Sequence, residues 1–339
     1  GRQGLIHPLE VFTQRRSLFM VRTSKLFLIT CVVSITVWGQ ENVSKQLHQP
    51  FLLEQQGQFD KAIQILQPLV DSGAFTGSDL GKAWTLLGAA YKERGQFHQA
   101  EHAYEQGLHI FERDKQHTAD YASTLEYFAA LYRAMRQEQD AIKLGLKAAG
   151  IDAQLGNHTG LTRIYTDMAG AAIQQHDGKI AKAYLLKAIA ESRLTDELTD
   201  DDRAALASTE ALLASMNGKT QEAVANYRQA LELWKRRHGE QHHFTGWGYV
   251  LLGQALATNG QPQDGLVNLQ RGLTILDQTV GPQNPRYLVG EILYAKILDQ
   301  SGMHSEALRL RIQAQQSLDG LLNRECMKCT VSVATLLQK

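Results

Sequence analysis

A short string recurs seven times along the 339-residue chain, at intervals of 38 to 42 residues. The copies occupy residues 57–62, 95–100, 136–141, 178–183, 218–223, 260–265 and 302–307. Six of them begin with glycine and six end with alanine. Even spacing in this range is typical of an array in which one structural unit repeats and packs on its neighbours. The chain is therefore expected to be a repeat protein.

The clearest copy has the pattern of a helical hairpin. The first helix is indicated by four residues whose spacing places them on one helix face: Trp84, Leu87, Gly88 and Tyr91. Gly95 is expected to end this helix, because glycine tolerates the left-handed cap conformation. The inner face of the second helix holds Ala100, Tyr104, Gly107 and Leu108. With only six prolines in the chain, long helices are favoured over strands.

A small residue recurs at a second place in the unit. Seven residues after the end of each string stand Leu69, Gly107, Ala148, Ala190, Ala230, Gly272 and Ala314. Six of these seven are glycine or alanine. The pattern predicts that two helix backbones approach closely there in nearly every unit.

This unit resembles the tetratricopeptide repeat at seven positions: Trp84, Leu87, Gly88, Tyr91, Gly95, Ala100 and Tyr104. The longer period is similar to the kinesin light chain variety, whose units are joined by a Gly-x-x-His/Asn loop. Residues 239–242 and 281–284 fit that loop. The resemblance implies an all-α, right-handed solenoid of about seven antiparallel hairpins over residues 40–318, of an exported bacterial type.

The resemblance also implies a function: the first helices would line a concave groove that binds a peptide or protein segment. The candidate groove residues, chosen by their position in the unit, are Lys82, Thr85, Lys92, Ser123, Glu126, Arg133, Trp247 and Val250. The asparagines that many kinesin light chain repeats carry are missing here. The Lys/Asn clamp of chaperone-tail binders is matched by Lys82 alone, with Ala89 in place of the asparagine. We expect no enzymatic activity and no cofactor, and a self-assembling solenoid or homo-oligomer stays open.

One stretch fits a different class of protein. His98, Glu101 and His102 form His-x-x-Glu-His, the inverted zinc-peptidase motif, which would make the chain a metal-dependent hydrolase. Catalytic zinc needs a third protein ligand, and none is evident in this hairpin. In the other six strings, the positions equivalent to His98 and His102 hold varied and mostly polar residues, as on a solvent-exposed helix face. We therefore favour a surface helix.

Three further clusters each have two interpretations. His238, His242 and His243 could bind a metal, or could lie in the loop between units. The basic run 235–237 could be a docking patch, or could complement the carbonyl end of a helix. The acidic run 196–202 invites a calcium site but lacks the glycine and distal glutamate of that motif. An N-cap at Thr199 or Asp200 explains it better.

The two ends of the chain are interpreted separately. Residues 1–39 contain a basic start after Met20, the uncharged run 26–38 and a small residue, Gly39, before Gln40. This pattern is typical of a signal peptide that starts at Met20 and is cut near Gly39. We expect export to the periplasm or beyond, with an uncleaved signal anchored in the inner membrane as the alternative.

The C-terminal tail, residues 319–339, contains Cys326 and Cys329. In an exported chain these two cysteines are a candidate disulfide. Across the whole chain, 35 basic side chains balance 35 acidic ones. Binding to nucleic acid needs a surplus of positive charge, so that class of partner is not expected.

Overall fold

The computed structural model describes residues 46–73, 75–114 and 118–325. Contacts divide the chain into two units, Gly1–Gln49 and Pro50–Lys339. The expected signal segment 1–39 and the cysteine pair Cys326 and Cys329 lie outside the described residues. Among the described helices, none combines the length and the apolar character that crossing a bilayer demands.

The described residues form fourteen helices and no strand. Helix α1 covers residues 46–55. The others are α2 (Phe59–Asp71), α3 (Gly77–Glu93), α4 (Phe97–Arg113), α5 (Ala119–Ala134), α6 (Glu138–Leu155), α7 (His158–Gln174), α8 (Gly178–Ser192), α9 (Asp200–Met216), α10 (Thr220–His238), α11 (His243–Thr258), α12 (Pro262–Val280), α13 (Pro285–Gln300) and α14 (His304–Glu325). Each odd-numbered helix from α3 onward pairs with the even-numbered helix that follows it. The predicted all-α solenoid of about seven hairpins is confirmed.

The turn inside every hairpin has the same geometry. One residue adopts a left-handed conformation: Gly57, Gly95, Arg136, His176, Gly218, Gly260 or Gly302. The next residue donates its N–H to the carbonyl five residues earlier, as from Gln96 to Tyr91 at 2.9 Å and from Gln137 to Tyr132 at 2.8 Å. This hydrogen bond and the left-handed residue define the Schellman motif, which satisfies carbonyls that a helix end leaves unpaired.

The fourth string is shifted by two residues from its predicted position. The sequence pattern places Gly178 in the turn, whereas His176 is the left-handed residue, with a φ of 59°. Gly178 is instead the first residue of α8, because Asp177 caps that helix by accepting a hydrogen bond from the N–H of Ile180. As a result Ala188, and not Ala190, is the fully buried small residue of this unit.

The small residues do mark close helix contacts. A Cβ atom added to Gly88 would lie 2.7 Å from the Tyr104 ring, and one added to Gly107 would lie 3.2 Å from the Gly81 carbonyl oxygen. The first separation would displace the ring, and the second would push on the backbone of α3. Glycine at these two positions therefore allows α3 and α4 to pack as closely as they do.

The loops of the Gly-x-x-His/Asn form are equivalent, as their spacing predicts. Gly239 and Gly281 both have positive φ angles, of 85° and 83°. His242 caps α11 by accepting from the N–H of Phe244, and Asn284 caps α13 by accepting from the N–H of Arg286.

The two ends of the array within Pro50–Lys339 meet. The His242 Nε2–H donates to the Gln55 carbonyl at 3.0 Å, and Asn284 Nδ2 donates to the Glu93 carbonyl at 2.8 Å. We call the residues that make this junction the seam: Gln55, Glu93, His242, His243, Asn284 and Arg286. An apolar cluster continues the junction by joining Phe97, Tyr104 and Phe128 to Leu288, Ile292, Leu318 and Leu322.

Candidate functional site: the inner helix face

The curvature of the array identifies its inner face. Four successive pairs of odd-numbered helices contact each other: α3 with α5, α5 with α7, α7 with α9, and α11 with α13. Successive even-numbered helices of the described part approach each other less closely. The layer whose helices stay in contact lies on the inside of a curve, because helices on the outside are spread apart. The odd-numbered helices therefore line the inner face, as the resemblance to the tetratricopeptide repeat implies.

Ion pairs connect neighbouring helices along this face. Lys82 of α3 pairs with Asp120 of α5 at 3.0 Å. Arg163 of α7 donates through Nε to Glu126 of α5 at 3.1 Å. Arg133 of α5 donates through Nη1 to Asp167 of α7, at 2.6 Å to the carboxylate and 3.1 Å to the carbonyl oxygen. The inner face of α3, α5 and α7 is thus polar and carries both signs of charge.

The eight predicted groove residues do not share one environment. Lys82, Glu126 and Arg133 make the ion pairs just described, and Ser123 is half-buried. Lys92 pairs with Glu93 of the seam at 2.9 Å. Trp247 is half-buried against the apolar cluster that contains Trp234 and Tyr249.

Two of the eight predicted residues lie in the core. Thr85 is 7% exposed; its hydroxyl lies 2.8 Å from that of Thr124. Val250 is fully buried, next to the positions of Gly272 and Gly290. Both contact neighbouring helices, since Thr85 meets Thr124 of α5 and Val250 lies beside Gly272 of α12 and Gly290 of α13. Val250 has no exposed surface for a ligand and Thr85 has little, and ligand binding by the other six stays a prediction.

A pocket opens between α5, α6 and α7, with a volume of about 320 Å³ that includes open space at its mouth. Its walls are apolar or small: Ala129, Ala130, Ala141, Ile142, Gly145, Ile164, Met168 and Ala171. Glu126, Arg133 and Asp167 complete its lining. The pocket therefore combines an apolar floor with polar groups that also belong to the inner face.

Glu126 has an unusual protonation equilibrium. Burial raises the pKa of its carboxyl group to about 7, and the nearby Arg163 guanidinium only partly opposes the rise. Asp167 adds to the upward shift through charge repulsion. The carboxyl group is thus partly protonated near neutral pH and can donate as well as accept a hydrogen bond.

The seam contains a cluster of buried ionisable groups. Burial raises the pKa of Glu93, but the charges of Arg286 and Lys92 outweigh it, and the pKa lies below its usual range. The Arg286 guanidinium forms a salt bridge with Glu93 and lies 3.5 Å from His243 Nδ1. Burial and the Arg286 charge together hold the pKa of His243 well below its usual range. The seam therefore contains a charged Glu93–Arg286 pair beside a neutral imidazole.

The predicted zinc motif gains no third ligand from the described part of the chain. His98 and His102 are both exposed on α4. The His102 ring stands edge-on to Trp84 with centroids 6.0 Å apart, and Glu101 accepts from the Tyr132 hydroxyl at 3.0 Å. In that part of the chain, no three His, Cys, Asp or Glu side chains come together as a metal site requires.

The histidine cluster lies at the loop between units, as favoured from the sequence. His238 Nε2 contacts Asp201 at 2.7 Å, and its ring stacks on His242 with centroids 4.1 Å apart. His242 and His243 belong to the seam. These histidines therefore pack and bond within the array.

The basic and acidic runs bind each other. Arg236 pairs with Asp200 at 2.6 Å, and Arg237 pairs with Asp201 at 2.7 Å. Thr199 caps α9 in a capping box with Asp202, which confirms the N-cap interpretation of the acidic run. The basic run lies in the last turn of α10, and its arginines are neutralised within the fold.

The sequence prediction missed three residues of the inner face and its pocket. Arg163 and Asp167 take part in the ion pairs, and Gly145 lines the pocket. The signal for Arg163 was present, since it occupies the same place in its unit as Ser123 does in the preceding one. The fourth turn lies two residues before its predicted position, so the equivalence of Arg163 and Ser123 is not evident from the string alone.

Comparisons with known proteins agree with this fold. Residues 202–276 match the tetratricopeptide repeat family. The Rap conjugation gene regulator of plasmid pLS20, in complex with the Phr* peptide, is 13% identical and superposes with a TM-score of 0.65, over 86% of this chain and 76% of that one. A Rap protein complexed with Competence and Sporulation Factor is 13% identical, with a TM-score of 0.53 over 87% and 99% of the two chains.

A third solved structure, BtubC (BKLC) from P. vanneervenii, is 18% identical and has a TM-score of 0.47, over 68% of this chain and 92% of that one. Among curated proteins, none matches the sequence. The two Rap structures share the helical-repeat fold of this chain.

Proposed function

We propose that this protein is a non-enzymatic scaffold whose inner helix face binds an extended peptide or protein segment. The observation that carries the proposal is the polar face of α3, α5 and α7, which adjoins an apolar pocket. An extended peptide presents backbone donors and acceptors together with side chains. The inner face offers Arg133 and Arg163 as donors, Glu126 and Asp167 as acceptors, and the pocket as a place for a side chain.

The solved structures support this choice of ligand class. One of the two Rap proteins of the same fold is in complex with a peptide, Phr*. Binding by repeat proteins through their curved inner surface is a general property of such arrays. Export of the chain through residues 1–39 remains part of the proposal, since that segment lies outside the described residues.

A random dodecapeptide library, selected on the purified full chain, tests the proposal. Ser123→Arg adds a long charged side chain to the centre of the inner face. Lys82 and Arg163 occupy the same place in the neighbouring units, so the fold should accept it. Gln139→Arg makes the same change at an exposed site on α6 and serves as the matched control.

We expect Ser123→Arg to weaken selected peptides about tenfold or more and Gln139→Arg to leave their Kd within about twofold. Fluorescence titration of labelled peptides measures both. If the wild-type chain selects no peptide, or if Ser123→Arg binds the selected peptides as well as wild type does, the proposal is wrong.

A further inference from the structure

The second helices from α2 to α12 share a position that faces the hairpin core. It lies seven residues after the start of each helix and holds Leu66, Tyr104, Gly145, Leu185, Tyr227 and Leu269, whereas the same place in α14 holds the exposed Arg311. The leucines and tyrosines at this position are each at most 6% exposed. Helix α6 alone among these seven helices has no side chain here, because its residue is Gly145.

The sister side chains show which space Gly145 leaves empty. The Tyr104 ring contacts Gly88 of its own hairpin and lies 5.6 Å, centroid to centroid, from Phe128 of the next one. The residues equivalent to Gly88 and Phe128 around α6 are Ala129 and Met168, and both line the pocket. A Cβ on Gly145 would lie 3.4 Å from Met168 Cγ, at ordinary contact distance. The pocket is therefore the volume that a leucine or tyrosine fills in the sister hairpins.

We propose that this pocket receives one leucine-sized apolar side chain of a peptide bound to the inner face. The inference rests on the proposed function and specifies its ligand: an extended peptide with an apolar anchor residue. The missing side chain defines the size of the anchor, and the walls formed by Ile142, Ile164 and Met168 define its apolar character. Removing such a side chain from water is a large source of affinity.

The polar lining favours a peptide over a purely apolar molecule. Arg133 and Asp167 lie at the same pocket and form a donor–acceptor pair. An anchor residue carries its own backbone N–H and carbonyl, and both need partners when the side chain is buried. Arg133 can donate to that carbonyl, and Asp167 or Glu126 can accept from that N–H.

Two leucine substitutions on one helix test the proposal. Gly145→Leu supplies the missing side chain from within the chain and closes the pocket. Gly150→Leu makes the same change at an exposed site on α6, where a new Cβ meets no atom within 4 Å. The probe is a random heptapeptide library selected on the full wild-type chain, and the Kd of each selected peptide is then measured on all variants.

We expect the selected peptides to share one leucine, isoleucine or methionine. Their binding to Gly145→Leu should fall about tenfold or more, while Gly150→Leu stays within about twofold of wild type. The Gly145→Leu chain should keep the helical content of wild type and a Tm at least as high, since it fills a cavity. Gly145→Ala, which adds one methyl group at contact distance, should weaken the same peptides by a smaller factor.

Failure of this inference can be distinguished from failure of the proposed function. If Ser123→Arg abolishes binding but a folded Gly145→Leu binds the same peptides as wild type does, the pocket proposal is wrong and the inner face still binds peptides. Selected peptides without a common apolar residue overturn the pocket proposal as well. If the wild-type chain selects no peptide at all, the proposed function fails and the inference fails with it. Should Gly145→Leu lose its helical content, unchanged binding by Gly145→Ala overturns the pocket proposal.

Discussion

Two residues of the array have backbone conformations that suit glycine better than their own side chains. Arg136 and His176 have φ angles of 60° and 59°, and their five sister turns all use glycine. A left-handed residue with a Cβ atom costs roughly 1–2 kcal/mol. The Schellman hydrogen bonds keep both residues in the left-handed conformation. The geometry of the hairpin turn therefore outweighs the backbone preference of arginine and histidine.

The first prediction follows from this strain. His176→Gly should raise the free energy of unfolding by about 0.5–1 kcal/mol, since the strain is relieved while some chain entropy is lost. Urea titration followed by circular dichroism measures it. The reverse change in the next turn, Gly218→His, should destabilise by a similar amount. A decrease in stability on His176→Gly would mean that its side chain contributes more than its backbone conformation costs.

His242 and Asn284 have the same two roles in successive units. Each caps its own helix and also donates to a carbonyl at the end of an early helix, Gln55 or Glu93. Only the histidine can change its charge. Burial, together with the neighbouring His238, lowers the pKa of His242 to about 4.

The second prediction concerns this pKa. A histidine with a lowered folded pKa stabilises the fold above its unfolded value of about 6.5 and loses that contribution as the pH falls toward 4. The free energy of unfolding should therefore drop across this range by up to about 3 kcal/mol from His242. His242→Asn, which copies the residue of the next unit, should reduce the drop. Urea titrations at pH 7, 5.5 and 4 measure both chains. An equal drop in both would show that His242 is not responsible.

At the scale of the helix, the junction of α9 and α10 is held by caps and charges. The Thr199 hydroxyl accepts from the Asp202 N–H, and the Asp202 carboxylate accepts from the Thr199 N–H. Asp200 and Asp201 pair with Arg236 and Arg237 at the end of α10. Acidic groups at a helix start and basic groups at a helix end both complement the helix dipole. The surface pairs themselves contribute little, so the cap should dominate.

The third prediction tests that ranking. Thr199→Ala should destabilise the protein by about 1 kcal/mol, because it removes the side-chain acceptor of the capping box. Thr274→Ala, at an exposed site within α12, should be neutral or slightly stabilising. Thermal unfolding of the two variants gives the comparison. Equal Tm values for both would contradict the assigned role of the cap.

At the scale of the whole array, the seam joins segments that are far apart in sequence, with partners separated by 187 to 193 positions. Glu93 and Arg286 pair there with side chains that are 14% and 26% exposed, beside the neutral His243. Breaking a buried pair leaves a charge without its partner and costs far more than losing an exposed one. The seam should therefore control how firmly the early and late hairpins stay together.

The fourth prediction is a double-mutant cycle on this pair. Arg286→Met should destabilise by about 2–4 kcal/mol, less than a fully isolated pair would, because Lys92 still lies beside Glu93. Adding Glu93→Gln should recover part of the loss, with a coupling of about 1–3 kcal/mol. Lys219→Met, which breaks an exposed pair with Glu222, should change stability by less than about 0.5 kcal/mol.

The same variants have a structural readout. Small-angle X-ray scattering should show a larger radius of gyration for Arg286→Met than for wild type, because the ends of the array separate. Additive effects of Glu93→Gln and Arg286→Met, with no change in size, would show that the pair does not hold the seam.

Much of the repeat unit was readable from local patterns. Gly95 and Ala100 mark a turn and a close helix contact, and their sisters at even spacing make the hairpin evident. The prediction was wrong for the fourth string. His176 occupies the turn position expected for glycine, and Gly178, two residues later, matches the string pattern without lying in the turn. The prediction also failed for Val250 and Thr85, because a position in the unit does not decide which side chains the next helix covers.

The repeated hairpin, its turns and its small contact residues follow from the sequence alone, since they depend on interactions within one unit and its immediate neighbours. The meeting of Gln55 and Glu93 with His242 and Asn284 is visible only in the folded chain, because that junction depends on the accumulated curvature of all the hairpins between them. The pocket at Gly145 likewise needed the fold. An absent side chain leaves a pocket only when the surrounding helices are held in place by packing elsewhere.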